Sequence, residues 1–208
     1  MLKKLTLLLV GIGMGFAQFT WAAGNPEKGK ALYAVCVACH GPDGAGNKAL
    51  NSPRIAGQEI WYLERQLKNF KTGVRGANSK DVYGMRMRPM AMTLPNDQAI
   101  ADVAAYVNGL KAKPPVAKIK GDTSAGKAAY MICQTCHGAN GEGNKALNAP
   151  KLINQQDWYM VRQLKGFKEG LRGTHPKDVY GMQMRPMSMT LTDDEAINNV
   201  VSYIVTFK

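Results

Sequence analysis

Apolar residues are distributed along this chain in two distinct ways. From Leu5 to Ala17 they form a nearly unbroken run behind Lys3 and Lys4, followed by small residues at Thr20, Ala22 and Ala23. Beyond that run they recur three or four residues apart, as on one face of a helix. Ile60, Leu63, Leu67 and Phe70 make one such stripe, echoed by Met160, Leu164 and Phe167. These helices are expected to stop at Gly73 and Gly170, since glycine readily takes the left-handed conformation that ends a helix. Ile197, Val200, Val201 and Ile204 mark a last helix after Leu191, with Thr192 and Glu195 expected to form a capping box. Its counterpart follows Leu94, where Pro95 stands in place of the threonine. Asn25, Pro26 and Glu27 read as the N-cap, first-turn proline and acidic first turn of an opening helix that runs towards Cys36. No stretch alternates at period two, so the expected fold class is all-α.

The second half of the chain repeats the first. Cys36, Cys39 and His40 return as Cys133, Cys136 and His137, displaced by 97 positions. The same displacement relates Trp61-Tyr62 to Trp158-Tyr159 and the run Asp81 to Met85 to the run Asp178 to Met182. Roughly 40 of about 70 aligned positions are identical without a gap, and a period this long suits a duplicated domain rather than a solenoid unit. Gly29 and Gly126 fall at matched positions inside the opening helices. A glycine there costs about 1 kcal/mol relative to alanine, and a close crossing by another helix would account for keeping it twice. Pro114-Pro115 blocks helix continuation between the copies. The expected organisation is a signal peptide over 1–22, an N-terminal domain over 23–112, a linker over 113–121 and a C-terminal domain over 122–208.

The first apolar run matches a secretory signal better than an uncleaved anchor. It spans about 13 residues, against about 20 needed to cross a bilayer, and Thr20 and Ala22 fit a cut after Ala22. The expected location is therefore the periplasm. Hydrophobic residues at 45% and charged residues at 20% of the 208 positions exclude a disordered chain, a collagen-like chain and a multi-span membrane protein. Four cysteines are too few for a disulfide scaffold. The formal charge is +12, about +10 once the signal is removed. A basic surface of this kind steers association with acidic docking faces or, peripherally, with anionic lipid. Nucleic acid is not an expected partner in that compartment.

Three chemistries use the pair Cys-x-x-Cys-His. A dithiol oxidoreductase does, usually beside a βαβ pattern, which this chain lacks. A zinc site does, but each copy offers two Cys and one His with no repeated fourth ligand. Covalent haem attachment is the third: two thiols add to the porphyrin and the adjacent histidine ligates iron. On a helical turn Cys36, Cys39 and His40 all face one side. Two such motifs at matched positions of a helical duplication favour haem, hence two covalently bound c-type haems.

A second axial ligand is harder to read. The only other histidine, His175, has Asn78 as its counterpart, so no further imidazole is repeated. Four methionines are repeated in each copy, Met85, Met87, Met90 and Met92 with Met182, Met184, Met187 and Met189. Spacing does not choose among them. Arg54 and Lys151, Arg65 and Arg162, and Arg75 and Arg172 either pair with haem propionates or cover solvated helix faces. Trp61 and Trp158 are expected to pack against the haem edge or the core.

On these residues the chain resembles the dihaem cytochrome c4 family, two class I cytochrome c domains in tandem. The likeness lies in the two haem motifs, in the stretch from Pro53 to Arg75, and in the Met-Arg stretch before Leu94 and Leu191. The resemblance implies that Met87 and Met184, seven residues before those leucines, ligate iron. Met90 and Met187 are the neighbouring alternatives. It implies that opening and closing helices cross in each domain. It also implies a carrier, not an enzyme, that takes electrons from a quinol-oxidising cytochrome complex and passes them to a terminal oxidase. The alternatives are a haem subunit of a larger dehydrogenase complex and a dihaem oxidoreductase enzyme. The enzyme would need the two methionine stretches to diverge, yet Arg88-Pro89-Met90 is repeated as Arg185-Pro186-Met187.

Overall fold

The computed structural model describes residues 23–207; the expected signal peptide lies outside them. Among the described residues the fold is all-α, two tandem helical halves whose only β pairing is an isolated bridge in each, Asn47 with Ser52 and Asn144 with Ala149. The first half contains α1 (Pro26–Leu32), α2 (Ala34–His40), α3 (Ile60–Thr72), α4 (Val82–Met92) and α5 (Asp97–Gly109). The second contains α6 (Thr123–His137), α7 (Asp157–Lys168), α8 (Val179–Met189) and α9 (Asp194–Ile204). The opening helix is broken at Tyr33 in the first half, whereas α6 runs unbroken through the equivalent Tyr130. No described helix is long and apolar enough to cross a membrane.

The opening helix of each half crosses the closing one. Asn25 caps α1 by accepting from the amides of Glu27 and Lys28, and its own amide donates to Asp102 on α5 at 2.7 Å. Asp122 and Asn199 reproduce that pair at 2.7 Å. At the crossing points a Cβ on Gly29 would run into the Asp102 carbonyl, and one on Gly126 into that of Asn199. The two glycines thus exchange helix propensity for a backbone approach no larger residue permits. Around each crossing sits a small core: Tyr33, Leu63, Ile100 and Val103 in one half, Tyr130, Met160, Ile197 and Val200 in the other.

Two helix ends differ from the expectation. The closing helix of the second half is capped by Asp193, whose carboxylate accepts from the Ala196 amide, not by a Thr192–Glu195 box. Thr192 instead donates to Asp193 at 3.1 Å. A carboxylate is the better acceptor for the amides of a first turn, and Asn96 does the same for α5, so Pro95 leaves that start intact. Gly73 caps α3 in the left-handed region as expected, but α7 stops at Lys168 and Gly170 lies beyond its cap, Glu169. The methionine stretches form two further helices, α4 and α8, each with a proline inside and an aspartate cap, Asp81 or Asp178.

Between the halves, residues 110–122 carry no helix. Arg54 donates to the carbonyls of Lys113 and Ala112 at 2.8 and 3.1 Å. The Asp157 carboxylate accepts from the amides of Lys118 and Ile119. The connection is pinned at both ends.

Candidate cofactor site and the interface between the halves

Each Cys-x-x-Cys-His motif closes a helix. His40 ends α2 and His137 ends α6, both buried, with Cys36 and Cys133 half-buried one turn earlier and Cys39 and Cys136 exposed. The buried tyrosines Tyr33 and Tyr130 tie the turn that follows, donating to the carbonyls of Gly41 and Gly138 at 2.7 and 2.8 Å. His40 Nδ1 lies 2.8 Å from the Pro53 carbonyl and His137 Nδ1 lies 2.7 Å from that of Pro150. A carbonyl only accepts, so Nδ1 carries the proton and Nε2 of a neutral ring keeps its lone pair for a metal. Burial holds both rings below the ordinary histidine pKa, with the proline carbonyls opposing it. Both effects suit a neutral imidazole ligand.

Cys36 and Cys133 are not set up as reactive thiols. Burial, together with the neighbouring Cys39, pushes Cys36 up to about 11, and burial likewise raises Cys133 to about 11. Catalytic C-x-x-C thiols need a lowered pKa to expose thiolate. Among the described residues no group of three or more His, Cys, Asp and Glu converges to hold a metal ion.

A cleft of about 670 Å³ opens beside the first motif, lined by Cys36, Cys39, His40, Met87, Met90 and, from the other half, Trp158. That volume is of the size that takes a cofactor. Among the repeated methionines, Met87 and Met184 are half-buried, while Met85, Met90, Met92, Met182, Met187 and Met189 are exposed.

The arginines read as propionate partners or solvated faces lie between the halves, in pairs related by the same offset of 97. Arg65 donates to the side chain and carbonyl of Asn148 at 3.1 and 3.0 Å, and Arg162 to those of Asn51 at 3.2 and 2.9 Å. Each also covers aromatic rings: Arg65 those of Trp61 and Tyr180, Arg162 those of Trp158 and Tyr83. The two tryptophans therefore belong to the interface rather than the core. Arg75 and Arg172 are buried deeper, stacked on Phe70 and Phe167 at 4.3 Å and bonded to Gln66 and Gln163 on both sides. Burial and the like charge of Arg75 both lower the Arg172 pKa. His175 sits in a loop, its Nδ1 accepting from the Lys177 amide at 3.1 Å.

The two buried guanidiniums bond neutral glutamines and form no ion pair among the described residues, and buried charge is costly without one. Four buried Nε groups have no hydrogen-bond partner among the described residues: Arg75, Arg88, Arg172 and Arg185, again two matched pairs. A cofactor that brings carboxylates into each half satisfies this requirement, and haem, with its two propionates, is such a group. The residues present fit it.

The comparisons agree with this geometry. The Cytochrome c family model matches residues 26–111 and 123–208. Cytochrome c4 of Azotobacter vinelandii is 37% identical over 213 residues, covering 97% of each chain. The thiosulfate dehydrogenase electron acceptor of Thiomonas intermedia is 31% identical, covering 93% of this chain and 86% of its own. Among solved structures, reduced recombinant cytochrome c4 from Pseudomonas stutzeri matches with a TM-score of 0.72 at 32% identity, over 89% of this chain and all of that one.

Proposed function

This chain belongs to the dihaem cytochrome c4 family, and we propose that it is a periplasmic carrier taking electrons from a quinol-oxidising cytochrome complex and delivering them to a terminal oxidase. Its general role is electron transfer, not catalysis. The observation that carries the reading is the repetition, at one fixed offset, of a thiol pair, a buried neutral histidine and a half-buried methionine. We assign Cys36 and Cys39 to covalent attachment of one haem and Cys133 and Cys136 to the other. His40 with Met87, and His137 with Met184, would hold the iron of each. When bound, the haem would supply the one-electron couple, and a methionine with a histidine as its protein ligands would favour a high potential.

The protein's own contribution is to fix and shield that group. The Pro53 and Pro150 carbonyls orient the two rings, and such outer contacts set a ligand's tautomer and basicity. Held by both a histidine and a methionine, each iron would offer no position to a substrate, which suits transfer between proteins. Arg75, Arg172, Arg88 and Arg185 offer their unpartnered Nε–H groups to the propionates. Covalent attachment also staples halves of fewer than 100 residues, whose cores are small. Removal of residues 1–22 leaves a basic chain suited to acidic partner faces or, peripherally, anionic membranes.

A second reading makes the chain the dedicated acceptor of a dehydrogenase complex. The similarity to the thiosulfate dehydrogenase electron acceptor favours it. Stopped-flow mixing of the reduced protein with oxidase-containing membranes separates the two. Rapid reoxidation of both haems supports the respiratory reading. No reoxidation, with fixed-stoichiometry co-purification with a dehydrogenase, replaces it by the second.

A further inference from the structure

The two histidine contacts are each one end of a longer chain that crosses the interface. In the second half the carbonyl bonded to His137 belongs to the Pro150–Lys151 peptide, and the N–H of that same peptide donates to the Glu59 carboxylate of the first half at 3.0 Å. In the first half the Pro53–Arg54 peptide accepts from His40, and its N–H donates to Gln156 Oε1 of the second half at 2.8 Å. Gln156 Nε2 donates to the Ala45 carbonyl at 3.0 Å, which fixes the orientation of that amide. Glu59 and Gln156 are equivalent positions in the duplication. The two relays share one geometry and differ by one negative charge.

We propose that Glu59 is a positioning residue for His137, acting through the shared peptide to make the haem of the second half harder to reduce than that of the first. The inference rests on the haem reading above. A carboxylate bonded to a peptide N–H pushes electron density onto that peptide's carbonyl, and a richer carbonyl pulls harder on the Nδ1–H of the ring. The imidazole becomes a stronger donor, which favours the oxidised metal, because outer-shell hydrogen bonds tune ligand basicity and potential. The direct field of the half-buried carboxylate acts in the same sense and is screened less than a surface charge.

The surroundings single out this pair. Burial acts on both rings against a proline carbonyl, Pro150 for His137 and Pro53 for His40, and the Glu59 charge adds to the carbonyl at His137 alone. Arg54 and Lys151 place a cation at the same position in both relays. The loop after each motif carries one carboxylate, Asp43 accepting from the Ala45 amide and Glu142 from the Asn140 amide. Arg86 on α4 stands where α8 of the second half has Gln183, a further charge difference between the copies. It acts in the same direction, so only substitutions confined to the relay test the proposal.

The test is spectroelectrochemical titration of the intact dihaem protein, with haem content and optical spectrum measured first and each potential assigned by hyperfine-shifted NMR signals. Glu59→Gln should leave two low-spin haems in place and shift only the second half's potential upwards. Gln156→Glu, the converse, should shift only the first half's potential downwards. Unmoved potentials in both variants, or equal movement of both haems, overturn the proposal while leaving the haem assignment intact. A wild-type protein without two low-spin haems overturns the assignment on which it rests.

Discussion

Arg65 of the first half lies over the ring of Tyr180 in the second, its guanidinium carbon 4.5 Å from the ring centroid. Arg162 repeats the contact over Tyr83 at 4.4 Å. Burial lowers the pKa of both arginines, whose guanidinium stays charged in proteins, so each brings a desolvated cation to an aromatic face. Arg65→Ala combined with Arg162→Ala should weaken the interface by about 2 kcal/mol or more, from lost cation–π and hydrogen-bond contacts. Calorimetry of the double variant should show two separated unfolding transitions where the parent shows one. Far-ultraviolet circular dichroism should report unchanged helix.

The helix crossings predict a second result. Gly29→Ala and Gly126→Ala each add about 1 kcal/mol of helix propensity, yet the added methyl meets a carbonyl of the closing helix. Overpacking of this kind costs about 1–3 kcal/mol, and backbone cannot step aside as a side chain would. Both variants should unfold at lower denaturant than the parent. A stabilised variant would mean that the helices separate freely.

Much of this architecture is legible in the sequence because it is local. The stripe from Ile60 to Phe70, the Asn25 cap and the fixed offset of the repeat need no knowledge of what packs against them. The methionine helices α4 and α8 were hidden because proline interrupts them and methionines fall on every side, leaving no apolar stripe. The closing cap slipped by one residue because Thr192 and Asp193 are both good N-caps, and only geometry chooses the aspartate. The interface escaped because sequence does not pair Arg65 with Asn148. The repeated grouping of Trp61, Tyr62 and Arg65 with Tyr83 was the available hint, an arginine with too many aromatic neighbours for a solvated face.

Asp157 gives a pH-dependent prediction. Burial pushes its carboxyl up, but the amides of Ile119, Lys118 and Trp158 outweigh that and hold it below the usual carboxylate range. A depressed carboxyl adds stability above its unfolded pKa of about 4, and loses it as pH falls through the folded value. Asp157→Asn should therefore destabilise the protein by about 1–3 kcal/mol at pH 7 and flatten its acid unfolding curve below pH about 4. An unchanged acid limb in urea titrations would show that the linker clamp contributes nothing.

The methionine assignment predicts a contrast between neighbours. Met87→Ala should remove the methionine-to-ferric-iron charge-transfer band of one haem, and Met184→Ala that of the other. Met90→Ala and Met187→Ala should leave both bands in place, with local stability changed by no more than about 1 kcal/mol for these exposed side chains. The reverse pattern in near-infrared absorption would move the ligand by three positions.

The central claim is that each thiol pair holds a haem whose iron is closed on both faces by protein. Intact-protein mass and haem quantification, followed by carbon monoxide addition to the reduced native protein, test it together. The account predicts two covalent haems per chain and no spectral change with carbon monoxide. A colourless chain, a single haem, or prompt carbon monoxide binding at either iron would contradict it.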